Sequence, residues 1–205
     1  MALVFHRSRS RFDPIHDSQR TFRAVLDALS SPGTIVPLPA RDDEAPIEGW
    51  ATAILRTLCD HDTRLAIELE AGSADLLRHL QQRVGVVGAP AERADFFVSA
   101  ASCCAPEWLT RLSRGTLTFP DRGATAILLV DALGIGPLRL ALRGPGCRPG
   151  TTLQVQGLPW SLLAARAAAV ASYPCGIDLL IVDAAGQVAG IPRSTFVERV
   201  PEGAR

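Results

Sequence analysis

The chain has 205 residues, 21 acidic side chains and 21 basic ones, all arginine, so its formal net charge is zero. That balance argues against a dedicated nucleic-acid or membrane-surface binder, which carries a basic face. The missing lysine excludes a pyridoxal phosphate Schiff base and the lysine of a P-loop, leaving arginine, backbone N–H groups or a metal to meet any anion.

Asparagine is absent too, while Ala, Arg, Pro and Gly are plentiful. That is the composition of a GC-rich genome, so the lack of lysine limits chemistry without implying selection. A hydrophobic fraction of 47 % and a charged fraction of 20 % fit one globular domain over residues 1–205. A chain of this size buries roughly 70 % of its unfolded surface and needs no staple. The five cysteines show no metal spacing, Cys103 and Cys104 being adjacent and the others isolated, and they read as buried or free thiols. Residues 1–11 are basic and polar without an apolar core behind them, which predicts a loose segment, no secretory signal and a cytoplasmic protein.

In chain order, Asp17 or Ser18 is expected to cap a helix running to about residue 30, with Phe22, Val25, Leu26 and Leu29 as its apolar stripe. Pro32-Gly33 ends it. A short strand at 34–37, an acidic loop at 41–48 and a helix at 50–59 follow. Residues 64–69 read as a strand, and Ser73 opens a helix to 84 with Leu76, Leu77 and Leu80 inward. Residues 96–100 form a strand, and Pro106 opens a short helix to 112. Residues 124–133, 138–142 and 151–156 are strand-like between Gly/Pro turns and predict an antiparallel patch. Ser161 is expected to cap an alanine-rich helix to 172. A buried strand at 177–183 turns at Ala185-Gly186 into a partner strand at 188–191. Helices and strands alternate first and strands cluster later, which predicts a three-layer α/β fold with a mixed sheet.

No G-x-S-x-G elbow marks a hydrolase. His16-Asp17 and Asp60-His61-Asp62 offer N/O donors, but without metal-ligand spacing they fit caps and turns equally well. Phosphate recognition has better material, because Arg20, Arg23 and Arg193 are bidentate donors charged at any working pH. Gly144-Pro145-Gly146 and Gly134-Ile135-Gly136 bring flexible backbone, though neither is a G-x-G-x-x-G.

The block Phe12-Asp13-Pro14-Ile15-His16-Asp17-Ser18-Gln19-Arg20-Thr21-Phe22-Arg23, followed by a helix to Pro32-Gly33, resembles the N-terminal signature of the PhnH family. The later segments Gly115-Thr116-Leu117-Thr118-Phe119-Pro120, Gly144-Pro145-Gly146, Tyr173-Pro174-Cys175-Gly176-Ile177-Asp178 and Pro192-Arg193-Ser194-Thr195 agree in order, so the resemblance covers about residues 11–200. Ser194 stands where the family often has threonine, and His61 and the Cys103-Cys104 pair are not family features.

The resemblance implies a fold like the large domain of pyridoxal phosphate-dependent transferases without the cofactor site, hence no cofactor. It implies a homodimer that joins PhnG, PhnI and PhnJ in the carbon–phosphorus lyase core complex. There an alkylphosphonate and ATP give α-D-ribose 1-methylphosphonate 5-triphosphate, with PhnI the expected catalytic subunit. Three roles follow: an accessory subunit buttressing PhnI; an anion-binding enzyme subunit for nucleotide or phosphonate; or a scaffold whose arginines pair with a partner's acids. In each the candidate residues are His16, Asp17, Gln19, Arg20, Arg23 and Arg193, with no catalytic residue assigned.

Overall fold

The computed structural model describes residues 12–201, so the stretch 1–11 expected to be loose lies outside the described residues. Along the chain run α1 (His16–Ser30), β1 (Val36–Pro37), α2 (Gly49–Leu58), β2 (Arg64–Glu68), α3 (Ser73–Val84), β3 (Val87–Gly88), β4 (Phe96–Ala100) and α4 (Pro106–Arg111). They are followed by β5 (Thr125–Val130), β6 (Ala132–Arg143), β7 (Thr152–Gln156), α5 (Trp160–Ala169), β8 (Asp178–Asp183), β9 (Gln187–Ile191) and β10 (Phe196–Arg199).

Seven strands make one mixed sheet in the order β1-β9-β8-β5-β4-β2-β3. The central strands β2, β4, β5 and β8 are parallel, and β9 returns antiparallel to β8. The expected turn is there: the Gly186 N–H donates to the Asp183 carbonyl at 3.1 Å. Central parallel strands are covered on both faces, so they read as continuous apolar runs. Val98, Ile127, Leu180 and Val182 pack with α1, α2 and α3. Their strand neighbours Phe97, Ala126, Leu128, Leu179 and Ile181 pack with α4, α5 and a second, three-stranded sheet in the order β10-β6-β7.

That second sheet corrects one expectation. β6 and β7 are antiparallel, as the turn pattern suggested. Residues 125–130 do not join them; they form β5, between β4 and β8 in the large sheet. An unbroken apolar run such as residues 126–130 must bury both faces, and only the centre of the large sheet does that.

α1 carries a second correction. Its buried residues are Thr21, Ala24, Val25 and Ala28, while Phe22 is 50 % and Leu26 53 % exposed. The stripes 21/24/25/28 and 22/25/26/29 have the same helical spacing and differ by one residue, about 100° of rotation. The deciding contact comes from β9. A Cβ on Gly190 would lie 2.6 Å from the Ala28 carbonyl oxygen, so the helix backbone rests almost on the strand. Small residues fit that seam and large ones turn outward.

Caps also differ from expectation. α1 begins at His16, and α5 begins at Trp160 after Pro159 rather than under a Ser161 cap. α5 stops at Ala169, short of 172.

Candidate functional site

The N-terminal block is first a helix start. The Asp13 carboxylate accepts from the Ile15 N–H at 2.8 Å and the His16 N–H at 2.9 Å. These backbone bonds, His16 first, hold its carboxyl below the ordinary carboxylate range. Asp17 reaches back and accepts from the Asp13 N–H at 2.9 Å. Of the two expected caps, Asp17 thus serves the chain entering the helix, and Asp13 supplies the acceptor for its first N–H groups.

Phe12, 1 % exposed, lies beneath the guanidinium of Arg56, 4.6 Å from the ring centroid. Arg56 and His79 both meet the Asp42 carboxylate at 2.9 Å, and Asp42 is fully buried. Burial alone would raise the Asp42 carboxyl, but hydrogen bonds from His79 and Arg56 outweigh it and hold the group below its ordinary value. The acidic loop is therefore tied to α2, α3 and, through Phe12, to the block.

His16, Gln19, Arg20 and Arg23 are exposed on α1, and Asp17 is half-buried. Arg20 donates to the Pro39 carbonyl at 3.1 Å and lies 3.7 Å from Asp17. With its amide oxygen turned toward Arg23, Gln19 accepts from that guanidinium at 2.9 and 3.2 Å. The two arginines therefore engage different neighbours. Alongside them stand exposed Ile15, Phe22 and Leu26. The result is a mixed apolar and guanidinium ridge, the composition of a protein interface.

Arg193 is elsewhere. It follows β9, and its backbone N–H and Nε both donate to Asp178, at 2.7 Å and 3.1–3.2 Å. Its remaining nitrogens reach Asp178, the Pro120 carbonyl and the Gly123 carbonyl. Asp178 opens β8 and pairs with Thr125, the first residue of β5, at the amino edge of the parallel strands. Arg20, by contrast, reaches Pro39, one residue beyond Leu38, whose N–H donates to Gly186 at the carboxyl edge. A six-residue strand separates those edges by roughly 17–20 Å. The fold thus brings His16, Asp17, Gln19, Arg20 and Arg23 together on α1 and leaves Arg193 at the opposite edge.

Beneath Arg193 lies another arginine that the sequence did not single out. Arg166 of α5 is 2 % exposed and donates to the carbonyls of Thr195, Ile191 and Pro192. Burial pushes its guanidinium down to about 10, against the pull of Asp178. It stays charged at neutral pH and ties α5 to the chain between β9 and β10.

A cavity of about 380 Å³ opens at the carboxyl edge, where Ala100, Val130 and Asp183 end β4, β5 and β8. It is lined also by Arg41, Glu48, Trp50, Ser102 and Asp131. Open α/β sheets bind small molecules at this edge. Asp183 is committed to the fold: its carboxylate accepts from the N–H groups of Leu133, Ala185 and Gln187 at 2.9–3.1 Å. No spacing in the sequence points to this cavity, because its walls come from five separate segments.

Among the described residues no helix is long and apolar enough to cross a membrane. Residues 10–198 match the family model described as bacterial phosphonate metabolism protein (PhnH). The chain is 36 % identical over 191 residues to the alpha-D-ribose 1-methylphosphonate 5-triphosphate synthase subunit PhnH of Rhizobium meliloti, covering 91 % of this chain and 93 % of that protein. It is also 36 % identical over 179 residues to HtxG of Stutzerimonas stutzeri, a protein named as a C-P lyase subunit, with 87 % and 85 % coverage. Spanning the block, both sheets and the Arg193 segment alike, the match makes this chain a member of the PhnH family.

Proposed function

We propose that the chain is an accessory subunit of the assembly that makes α-D-ribose 1-methylphosphonate 5-triphosphate from ATP and an alkylphosphonate, and that it docks through the outer ridge of α1. Two relatives are named as subunits, one of that synthase and one of C-P lyase. One observation carries the docking role: the block's arginines share an exposed ridge with Ile15, Phe22 and Leu26 instead of converging on a cavity. Exposed aromatic, aliphatic and guanidinium groups together are what interfaces enrich. The ridge would serve PhnG, PhnI or PhnJ, or a second copy in the homodimer that the family resemblance implies. Kinship with the large domain of pyridoxal phosphate-dependent transferases is supported by the mixed seven-stranded sheet covered on both faces, and loss of that cofactor by the missing lysine. We place the protein in the cytoplasm as a single domain.

Co-expression of the tagged chain with its neighbouring subunits, followed by light scattering on the eluted particle, tests this. A multi-subunit particle is expected, and Phe22→Ser with Arg23→Glu should release the chain from it. Conversion of ATP and methylphosphonate to the ribose product by the pure chain would overturn the accessory role.

A further inference from the structure

The formal charge of zero hides a division. Residues 12–111 carry nine arginines against fifteen carboxylates, and residues 112–201 carry eight against five. The basic half holds a second exposed apolar surface, on the edge of the sheet opposite the first turns of α1. Leu117 is 78 % exposed, Tyr173 66 % and Phe196 77 %, with Phe119 also exposed. Arg193 donates to Pro120 beside Phe119 and lines a cleft of about 320 Å³ with Pro145, Tyr173, Thr195 and Phe196. Four segments noted in the sequence, 115–120, 144–146, 173–178 and 192–195, contribute to this one place.

The frame beneath is rigid. A Cβ on Gly123 would meet the Gly176 carbonyl oxygen at 2.2 Å and Arg193 at 2.6 Å. The Arg193 donors are committed to Asp178 and to main-chain carbonyls, and the terminal nitrogens of Arg166 to main-chain carbonyls, its Nε lying buried without a partner. Neither guanidinium has a free fork for a phosphate, so a small anion finds poor recognition here. Their charge remains. Arg122 lies over the Phe119 ring at 4.3 Å, and Arg114 accepts the Gly176 N–H through its carbonyl at 2.8 Å. Arg114, Arg122 and Arg193 thus belong to the segments that carry the apolar groups, above the buried Arg166, with Asp121 and Asp178 as the carboxylates of those segments. β10 itself adds Arg199 and Glu198, the latter paired with Arg143. Phe196 opens β10, an outer strand of the small sheet with β6 on its one paired side.

We infer that this face is a second docking surface, built for an extended acidic segment of a partner protein that lies along β10 and places an apolar side chain in the Tyr173–Phe196 cleft. An outer strand offers main-chain hydrogen bonds to such a segment, and an adjacent cleft gives side-chain specificity. The arginine excess attracts carboxylates and repels the same face of another copy. With α1 engaged at the other edge, the chain would then bridge two partners. This inference rests on the subunit role proposed above.

The test uses the full chain co-expressed with the other subunits of its complex. Hydrogen exchange on the purified particle should show residues 173–177 and 196–199 protected relative to the free chain. Tyr173→Ser with Phe196→Ser, both well exposed, should leave the thermal melt unchanged yet weaken retention of one subunit at least about tenfold. Arg122→Glu should weaken it further, and added salt should mimic that loss. Unchanged protection and unchanged particle composition in these variants would overturn the inference. So would protection that appears on self-association alone, which assigns the face to a second copy, or on adding ATP to the free chain, which assigns it to a nucleotide. If the unmodified chain elutes alone in the presence of every subunit, the subunit role itself fails and this inference with it.

Discussion

Arg23 and Arg193 have the same side chain and both belong to family-like segments, yet the fold uses them in opposite ways. Arg23 is exposed and, among the described residues, engages its helix neighbour Gln19. Arg193 spends its donors on Asp178, Pro120 and Gly123, with its side chain 15 % exposed. An arginine is available to a partner in proportion to the donors its own chain leaves unused, and only the number of internal acceptors nearby distinguishes the two. The apolar groups around them differ as well. Those beside Arg23 sit on a helix, where each side chain is presented separately. Those around Arg193 come from loops and the start of β10, are held by the half-buried Arg193–Asp178 pair, and form a cleft.

Breaking the Arg193 side of this comparison should have the largest effect on folding. Arg193→Ala leaves Asp178 without its guanidinium and the Gly123 carbonyl without its side-chain donor, while the Pro120 carbonyl keeps only the Gly123 N–H, and should cost about 3–5 kcal/mol in denaturant unfolding. Arg193→Lys should restore little, because an ammonium cannot reproduce the fork. An Arg193→Ala protein of wild-type stability would show that the pair is ornamental.

Asp42 extends the test to the other buried ion network. Asp42→Asn should cost about 3 kcal/mol, since Arg56 and His79 lose their shared carboxylate. The folded carboxyl is held below its ordinary value. Its contribution is therefore complete above the unfolded carboxylate value of about 3.9 and is lost as pH falls through the lower folded value. Acid unfolding of the wild type should be steeper below pH ~4 than that of Asp42→Asn, and parallel acid limbs would contradict the assignment.

A smaller loss is expected at Arg166. Arg166→Met keeps the bulk and removes the charge, but leaves the Thr195, Ile191 and Pro192 carbonyls short of a donor, at about 1–3 kcal/mol. Urea midpoints measure it, and a gain in stability would mean that burying the charge costs more than its hydrogen bonds return.

Arg20→Ala and Arg23→Ala should leave stability within about 0.5 kcal/mol of wild type while reducing assembly with partner subunits. Size-exclusion profiles alongside melts separate the two effects. Lost stability with intact assembly would reverse the contrast with Arg193.

Much of this molecule is legible in the chain itself. Strand and helix positions follow from runs such as residues 126–130 and 179–182, whose continuous apolar character only a doubly covered sheet can bury. The turn at Ala185-Gly186 and the strand pair it joins follow from local turn chemistry. The absence of lysine set limits on cofactor and phosphate chemistry.

What the chain alone left open had two equally good local answers. The outward face of α1 is one case: two stripes share one spacing, and the close approach of Gly190 to Ala28 chooses the smaller. The place of residues 125–130 is another, because pairing partners are remote in sequence. The edge at which Arg193 sits is the third, set by the antiparallel return of β9. Composition and local periodicity decide which segments become helix or strand. Which side chains remain free to act depends on contacts between segments far apart in the chain, and those exist only once the sheet has assembled.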